Sequence, residues 1–293
     1  MNNILVTGAN GQLGSEIKFL IDSKESIDKN IKFYFTTSQD LDISDFQKVR
    51  IFLESNNINT IINCAAYTAV DKAQTEEESA NKINHLAVEN IAQLSKELKI
   101  KLIHISTDYV FNGENYRPYT EADTTKPQSI YGQTKLDGEN SMLEINPENS
   151  IIIRTSWVYS SFGNNFVKTM LRLGSDKEEL GVIFDQVGTP TYARDLAKTI
   201  LNIIPKIDNE KVVVYHYSNE GVLSWYDFAK EIMKMGKLNC KVNPIETKDY
   251  PTPAKRPPYS ILNKSKIKKD FDIIIPYWKD SLKECLKELS GNE

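Results

Sequence analysis

Three side chains suited to proton transfer and carbonyl binding stand at a meaningful spacing. "SIYGQTK" (129–135) sets Tyr131 one helical turn ahead of Lys135. "HISTDYVF" (104–111) puts Thr107 at the end of an apolar run. A free phenol titrates near 10 and exchanges protons poorly at neutral pH. A lysine four residues on shares its helix face, and its charge favours the phenolate. This predicts a Tyr131 pKa lowered by Lys135. Such a phenol gives its proton to a carbonyl oxygen as that oxygen gains electrons, and Thr107 donates a hydrogen bond to the same atom. Tyr-x-x-x-Lys alone also fits an ordinary solvated helix face, so the rest of the chain must decide.

"TGANGQLG" (7–14) reads Gly8-x-x-Gly11-x-x-Gly14, directly after an apolar strand and at the start of a helical pattern. In that context glycines let the backbone turn tightly and approach a pyrophosphate, which the helix N-terminus attracts. The pattern predicts a bound dinucleotide, hence a hydride donor for Tyr131 to work with, and Lys135 suits the nicotinamide ribose. At the end of the second strand, Thr36-Thr37-Ser38 holds no acid until Asp40 and no arginine. An acid there would hold a ribose 2′-hydroxyl and repel a 2′-phosphate. Thr37 instead suits a phosphate, so NADPH is expected, with NADH as the alternative.

The positioning elements follow from periodicity. Apolar strands at 4–8, 31–37, 60–66, 101–107 and 150–158 alternate with helical patterns. A Ser44/Gln47 capping box is expected to open the helix that runs to Ser55. Alternation of this kind makes βαβ units and a parallel sheet covered on both faces. The fold class is α/β: a Rossmann-like, doubly wound parallel sheet with a smaller C-terminal lobe. Ligands bind such sheets at the strands' carboxyl ends, where Gly8, Ala65, Thr107 and Ser156 all fall. Residues 1–160 form the dinucleotide-binding domain. Residues 161–293 are mainly a substrate lobe, part of which is expected to return to the sheet.

With 293 residues, a formal net charge of −4 and 26% charged side chains, the chain is ordinary in composition and too acidic to favour nucleic acid. No apolar run approaches the ~20 residues of a membrane helix and no signal-peptide pattern is visible, so a cytoplasmic protein is expected. Cys64, Cys240 and Cys285 are widely spaced and odd in number, which reads as free thiols. His104 reads as a satisfied core residue. The run "NKSKIKK" (263–269) reads as a solvated helix face. Trp157 is either a platform for the apolar side of a ligand or a core aromatic. Arg256, in the proline-rich loop 244–262, is either a diphosphate clamp or a solvated charge.

Together, "TGANGQLG", "NCAAYTAVDKAQTE", "STDYVFNG", "YGQTKLDGE", "RTSWVY", "GNNFVKTML" and "DQVGTPTYARDLA" resemble the extended short-chain dehydrogenase/reductases, and among them the dTDP-4-dehydrorhamnose reductase branch. The resemblance covers nearly the whole chain. It implies NAD(P)H-dependent reduction of the 4-keto group of a dTDP-sugar, with Thr107, Tyr131 and Lys135 catalytic. Gly8, Gly11, Gln12, Leu13, Gly14, Asp42, Ile43, Ala65 and Ala66 match its cofactor positions. Thr68, Val70, Asp108, Tyr109 and Trp157 match positions near the sugar. Related 4,6-dehydratases resemble Thr-Asp-Glu where this chain has Thr107-Asp108-Tyr109, so the second acid needed for elimination is missing. Some relatives are described as magnesium-dependent. No carboxylate cluster here is assignable to a metal, and magnesium is left open. A homodimer is the most the resemblance implies about assembly. Two rival readings stand: another dTDP-4-keto-6-deoxy sugar as substrate, or a non-catalytic role like that of the regulatory subunit of methionine adenosyltransferase, which resembles the same branch.

Overall fold

The computed structural model describes residues 2–23 and 31–291. The first half runs β1 (Asn2–Thr7), α1 (Gln12–Asp22), β2 (Ile31–Thr36), α2 (Phe46–Ser55), β3 (Thr60–Asn63), α3 (Val70–Ala73), α4 (Glu77–Asn81), α5 (Ala87–Leu98), β4 (Lys101–Thr107), α6 (Ile130–Ile145) and β5 (Ile151–Thr155). A π-helical turn, Lys82–Leu86, joins α4 to α5. The second half runs β6 (Val158–Tyr159), α7 (Phe166–Asp176), β7 (Glu179–Ile183), β8 (Val187–Gly188), β9 (Thr191–Tyr192), α8 (Ala193–Ile203), β10 (Val213–His216), β11 (Leu223–Ser224), α9 (Trp225–Met235), β12 (Lys241–Ile245), α10 (Ser265–Phe271) and α11 (Trp278–Leu289).

Six strands form one parallel sheet in the order β2-β1-β3-β4-β5-β10. Its strands are apolar throughout because both faces are covered, and the period of two sorts their side chains. Ile151 and Ile153 of β5 pack with Leu13 and Ile17 of α1 and Leu196 and Ile200 of α8. Ile152, between them, packs on the other face with Leu53 of α2, Ile91 of α5 and Met142 of α6. The chain crosses from β2 back past β1 to β3, so a switch point opens at the carboxyl ends of β1 and β3. Residues beyond 160 contribute to this sheet: β10 pairs with β5, and α10 packs on the α1 face through Ile267 and Phe271. A second core gathers α7, α9, α11 and the parallel pair β7–β12, built on Tyr159, Phe228, Ile232 and Leu282.

Two local expectations need correction. Helix α2 is capped by Asp45, whose carboxylate accepts the Lys48 amide at 3.1 Å. Ser44 instead donates its hydroxyl to Asp42 at 2.7 Å, and the cap falls to the acid that follows it, Asp45. The lysine run is not a solvated face either. Lys264 is 8% exposed and reaches the Asn219 carbonyl and Glu220, Lys266 reaches the Val214 carbonyl, and Lys268 pairs with Glu220. Their long stems lie along the protein while each ammonium finds an acceptor. Cys64, Cys240 and Cys285 are all free thiols. Among the described residues, no helix is long and apolar enough to cross a membrane.

Candidate active site

A cavity of about 870 Å³ opens at the carboxyl ends of β1, β3, β4 and β5. Of the residues singled out from the sequence, Gly8, Gly11, Gln12, Leu13, Thr37, Asp42, Ile43, Ala65, Ala66, Thr68, Val70, Thr107, Asp108, Tyr109, Tyr131, Lys135 and Trp157 line it. Gly14 and Arg256 do not. Ser156 also turns away, donating its hydroxyl to the Thr189 carbonyl at 2.7 Å, and Thr155 takes its place in the wall. These residues lie far apart in the chain; the parallel strands bring them together because every strand ends on the same edge.

At one end lies the glycine turn. Gly8 has φ +64°, and a Cβ there would fall 2.7 Å from the Ala65 amide nitrogen, so β1 and β3 can meet here only without a side chain. Gly14 packs α1 against the same turn rather than facing the cavity. No side chain caps the start of α1 at Gly11, which leaves its first amides and positive dipole end to a ligand. The residues present therefore fit a dinucleotide pyrophosphate. Gln12 is fixed to the opposite wall: it donates to the Val158 carbonyl at 3.3 Å and accepts from Asn165 at 3.0 Å. Thr37 gives both its amide (2.9 Å) and its hydroxyl (2.7 Å) to the Asp40 carboxylate, which keeps that acid below its ordinary range. An acid thus stands beside Thr37 after all, though it follows the strand by four residues.

At the other end, β4 and α6 converge. The Ser129 hydroxyl caps α6 by accepting the Gly132 amide at 3.2 Å. A Cβ on Gly132 would fall 2.3 Å from the Tyr109 carbonyl oxygen, so this glycine lets α6 approach the turn after β4. The approach places the Tyr109 and Tyr131 rings edge to face, 5.5 Å apart. Burial pushes the Tyr131 phenol up to about 12; the neighbouring Thr107 hydroxyl pulls it down and Asp108 pushes it up. This corrects the expectation of a phenol already lowered by Lys135. The reason is geometric. Lys135 lines the cavity but is tied to β4, donating to the Ile105 carbonyl at 2.7 Å and lying 3.3 Å from His104 Nε2. Burial lowers Lys135 to about 8, partly offset by Glu139.

On the second-lobe side, Asp108 is 2% exposed and accepts the Thr107 hydroxyl at 3.0 Å. Burial raises it to about 7, against the pull of the Thr107 and Ser260 hydroxyls. Trp157 lies just past β5 with φ +49° and stacks on Trp225 at 3.6 Å between centroids. One face of the indole is thus buttressed while it still lines the cavity. Arg256 makes a two-pronged pair with Asp71 (2.7 and 3.1 Å) and sits outside the cavity wall. It is neither a solvated charge nor, in this conformation, a clamp.

The family profile described as "RmlD substrate binding domain" matches residues 1–290. The chain belongs to the dTDP-4-dehydrorhamnose reductase family. It is 41% identical to the dTDP-4-dehydrorhamnose reductase of Aggregatibacter actinomycetemcomitans over 97% of this chain and 98% of that one. A dTDP-4-dehydrorhamnose reductase structure from Clostridium acetobutylicum superposes with a TM-score of 0.92 at 44% identity, covering 98% of this chain and 99% of the other. The Bacillus anthracis reductase in complex with NADP superposes at 0.91 with 37% identity, covering 98% and 100%.

Within this reductase-family site, sequence reasoning missed Asn10, Tyr67, Thr155 and Gly163, all in the cavity wall. Asn10 was readable, since it sits inside the glycine motif. Gly163, with φ +63°, comes from a loop that only the tertiary fold lays across α1, where its Cβ would meet Gln12 at 3.2 Å. Among the described residues, no group of three or more His, Cys, Asp or Glu side chains gathers as metal ligands. No step below is routed through a metal.

Proposed function

We propose that this protein reduces the 4-keto group of dTDP-4-dehydro-L-rhamnose to give dTDP-L-rhamnose, with NADPH as reductant and Tyr131 as proton donor. The supporting observation is that Thr107, Tyr131 and Lys135 face the same cavity as the Gly8 turn and the uncapped start of α1. The Aggregatibacter relative's name and the NADP-bound Bacillus structure support the substrate and the cofactor. When bound, the nicotinamide supplies the hydride. The Tyr131 phenol protonates the carbonyl oxygen as charge develops there, and Thr107 donates a hydrogen bond to that oxygen. The phenol is then restored from solvent. Lys135 holds the nicotinamide ribose and lends its charge to the phenolate. Asp108 and Tyr109 face the sugar, and Trp157 gives its apolar 6-deoxy side a rigid platform. Residues 161–293 mainly supply the sugar lobe.

The test is a coupled assay. The keto sugar is generated in situ by the epimerase, and NADPH oxidation is followed for the wild type and Tyr131→Phe. Turnover that collapses in the variant, with product NMR giving the L-rhamno configuration, supports the reading. Dinucleotide binding without turnover of this sugar overturns it. Running NADH in parallel tests the cofactor choice: a preference for NADH would mean that Asp40, beside Thr37, repels the 2′-phosphate.

A further inference from the structure

Behind Lys135 lies a buried chain of hydrogen bonds that the proposed reduction does not use. Thr7 Oγ1 is 2.7 Å from Asn63 Oδ1, Asn63 Nδ2 is 3.1 Å from His104 Nδ1, and His104 Nε2 is 3.3 Å from Lys135 Nζ. Thr7 and Asn63 are 1% exposed, His104 0% and Lys135 1%. The links come from the ends of β1 and β3, from β4 and from α6, so only the assembled sheet makes the chain.

Its direction is set at the far end. The Ala65 amide can only donate, and it points at Thr7 Oγ1 at 3.4 Å. Among the described residues, the Thr7 proton has one side-chain acceptor, Asn63 Oδ1. Asn63 then turns its amide hydrogens to His104 Nδ1, which must accept. A neutral imidazole that accepts at Nδ1 carries its proton on Nε2. That proton points at the lysine nitrogen. An ammonium has no lone pair to receive it; a neutral amine does, and keeps two N–H groups, one of them for the Ile105 carbonyl. Reversing the chain to suit an ammonium would leave the buried Thr7 proton without an acceptor, which is costly.

We propose that His104 is a positioning residue for Lys135, donating its Nε2–H to a neutral lysine amine and holding it retracted under β4 until a ligand fills the site. The charged and titratable surroundings agree. On α6, Glu139 is one turn away but is engaged by Arg154 of β5 in three contacts of 2.6–3.1 Å, and Tyr131 is one turn back without a hydrogen bond to the lysine. His104 itself comes from β4 and, beyond Tyr131, Asp108 from the turn that follows β4. Burial holds His104 well below its ordinary range, consistent with a neutral ring. In the reductase reading, on which the functional consequence rests, the lysine arms Tyr131 only after leaving His104 for the ribose and taking one proton from solvent. Wherever the amine form prevails, above about pH 8, the empty enzyme therefore keeps its tyrosine unarmed.

The experiment titrates the full-length protein, free of cofactor and substrate, with ¹³C at lysine Cε. The Lys135 signal is assigned by its loss in Lys135→Met. The wild-type midpoint is expected near 8. In Thr7→Val, an isosteric change three hydrogen bonds from the lysine, the chain is free to reverse, and the midpoint is expected to rise by about one pH unit, tenfold in proton affinity. His104→Gln, which can present an oxygen to the ammonium, is expected to rise similarly. Adding NADP+ to the wild type is expected to raise the midpoint as well. A wild-type midpoint in the ordinary lysine range near 10.4 overturns the proposal. So does an unmoved midpoint in folded Thr7→Val, which decides alone should His104→Gln not fold. An NADP+ complex that leaves the midpoint unchanged overturns the release step. None of these readouts needs the keto sugar, so failure of the substrate reading would leave them intact.

Discussion

Lys135 and Glu139 stand one turn apart on α6, both buried, and their surroundings differ completely. Glu139 is met by the Arg154 guanidinium through two nitrogens, with the guanidinium also over the Phe111 ring at 5.1 Å. Lys135 has no carboxylate partner: its contacts are a backbone carbonyl and an imidazole. The same helix thus carries one closed ion pair and one lysine without a counter-charge. A closed pair fixes geometry and resists change, because removing either partner strands a buried charge. A buried lysine without a counter-charge has a lowered pKa and can exchange partners, as a catalytic group must.

Substitutions on either side of this contrast should act on different observables. Tyr131→Phe, on the lysine side, is expected to lower kcat by roughly 10²–10⁴-fold in the coupled assay with little change in Tm. A variant that keeps turnover would break the contrast by removing chemistry from that side. Arg154→Met, on the closed side, is expected to cost about 3–5 kcal/mol in denaturant unfolding, because Glu139 is left buried and unpaired. Wild-type stability there would mean the pair is no more than break-even. Asp108→Asn tests a third buried charge, facing the cavity. Its carboxyl is raised from 3.8 to about 7, so its contribution to stability is fully present below about pH 4 and is lost as pH rises through about 7. The neutral amide is expected to flatten the Tm-against-pH curve over that window, a slope of at most about 1.4 kcal/mol per pH unit. An unchanged slope would place the titration elsewhere. The exposed pair Lys18–Asp22 gives the baseline: Asp22→Ala is expected to change stability by less than about 0.5 kcal/mol.

Much of the architecture was legible beforehand for a simple reason. Parallel strands buried on both faces must be predominantly apolar, and the centres of "KLIHIST" and "SIIIRT" carry Leu102, Ile103, Ile105 and Ile151, Ile152, Ile153. The glycine spacing, the Tyr131–Lys135 pair and the strand-end Thr107 were readable because each depends on local geometry: a turn, a helical repeat, a strand terminus. Partner choice was not readable. Arg256 read as either a diphosphate clamp or a solvated loop charge, and the fold set it on Asp71, 185 residues away. The basic run 263–269 looked solvated until Glu220 and two carbonyls faced it.

By itself, then, the sequence determined the doubly wound sheet, the edge on which ligands bind and the glycine turn, which follow from periodicities of 2 and 3.6 and from the steric freedom of glycine, while its resemblance to a known family implied most of the other residues on that edge. Only the tertiary structure decided where the charges go. Lysine at i+4 promised a lowered phenol, yet burial raised Tyr131, and His104 and the Ile105 carbonyl, neither near Lys135 in sequence, hold the lysine nitrogen instead. Electrostatic energy depends on distance and local dielectric, which belong to the packed molecule and not to the order of its residues.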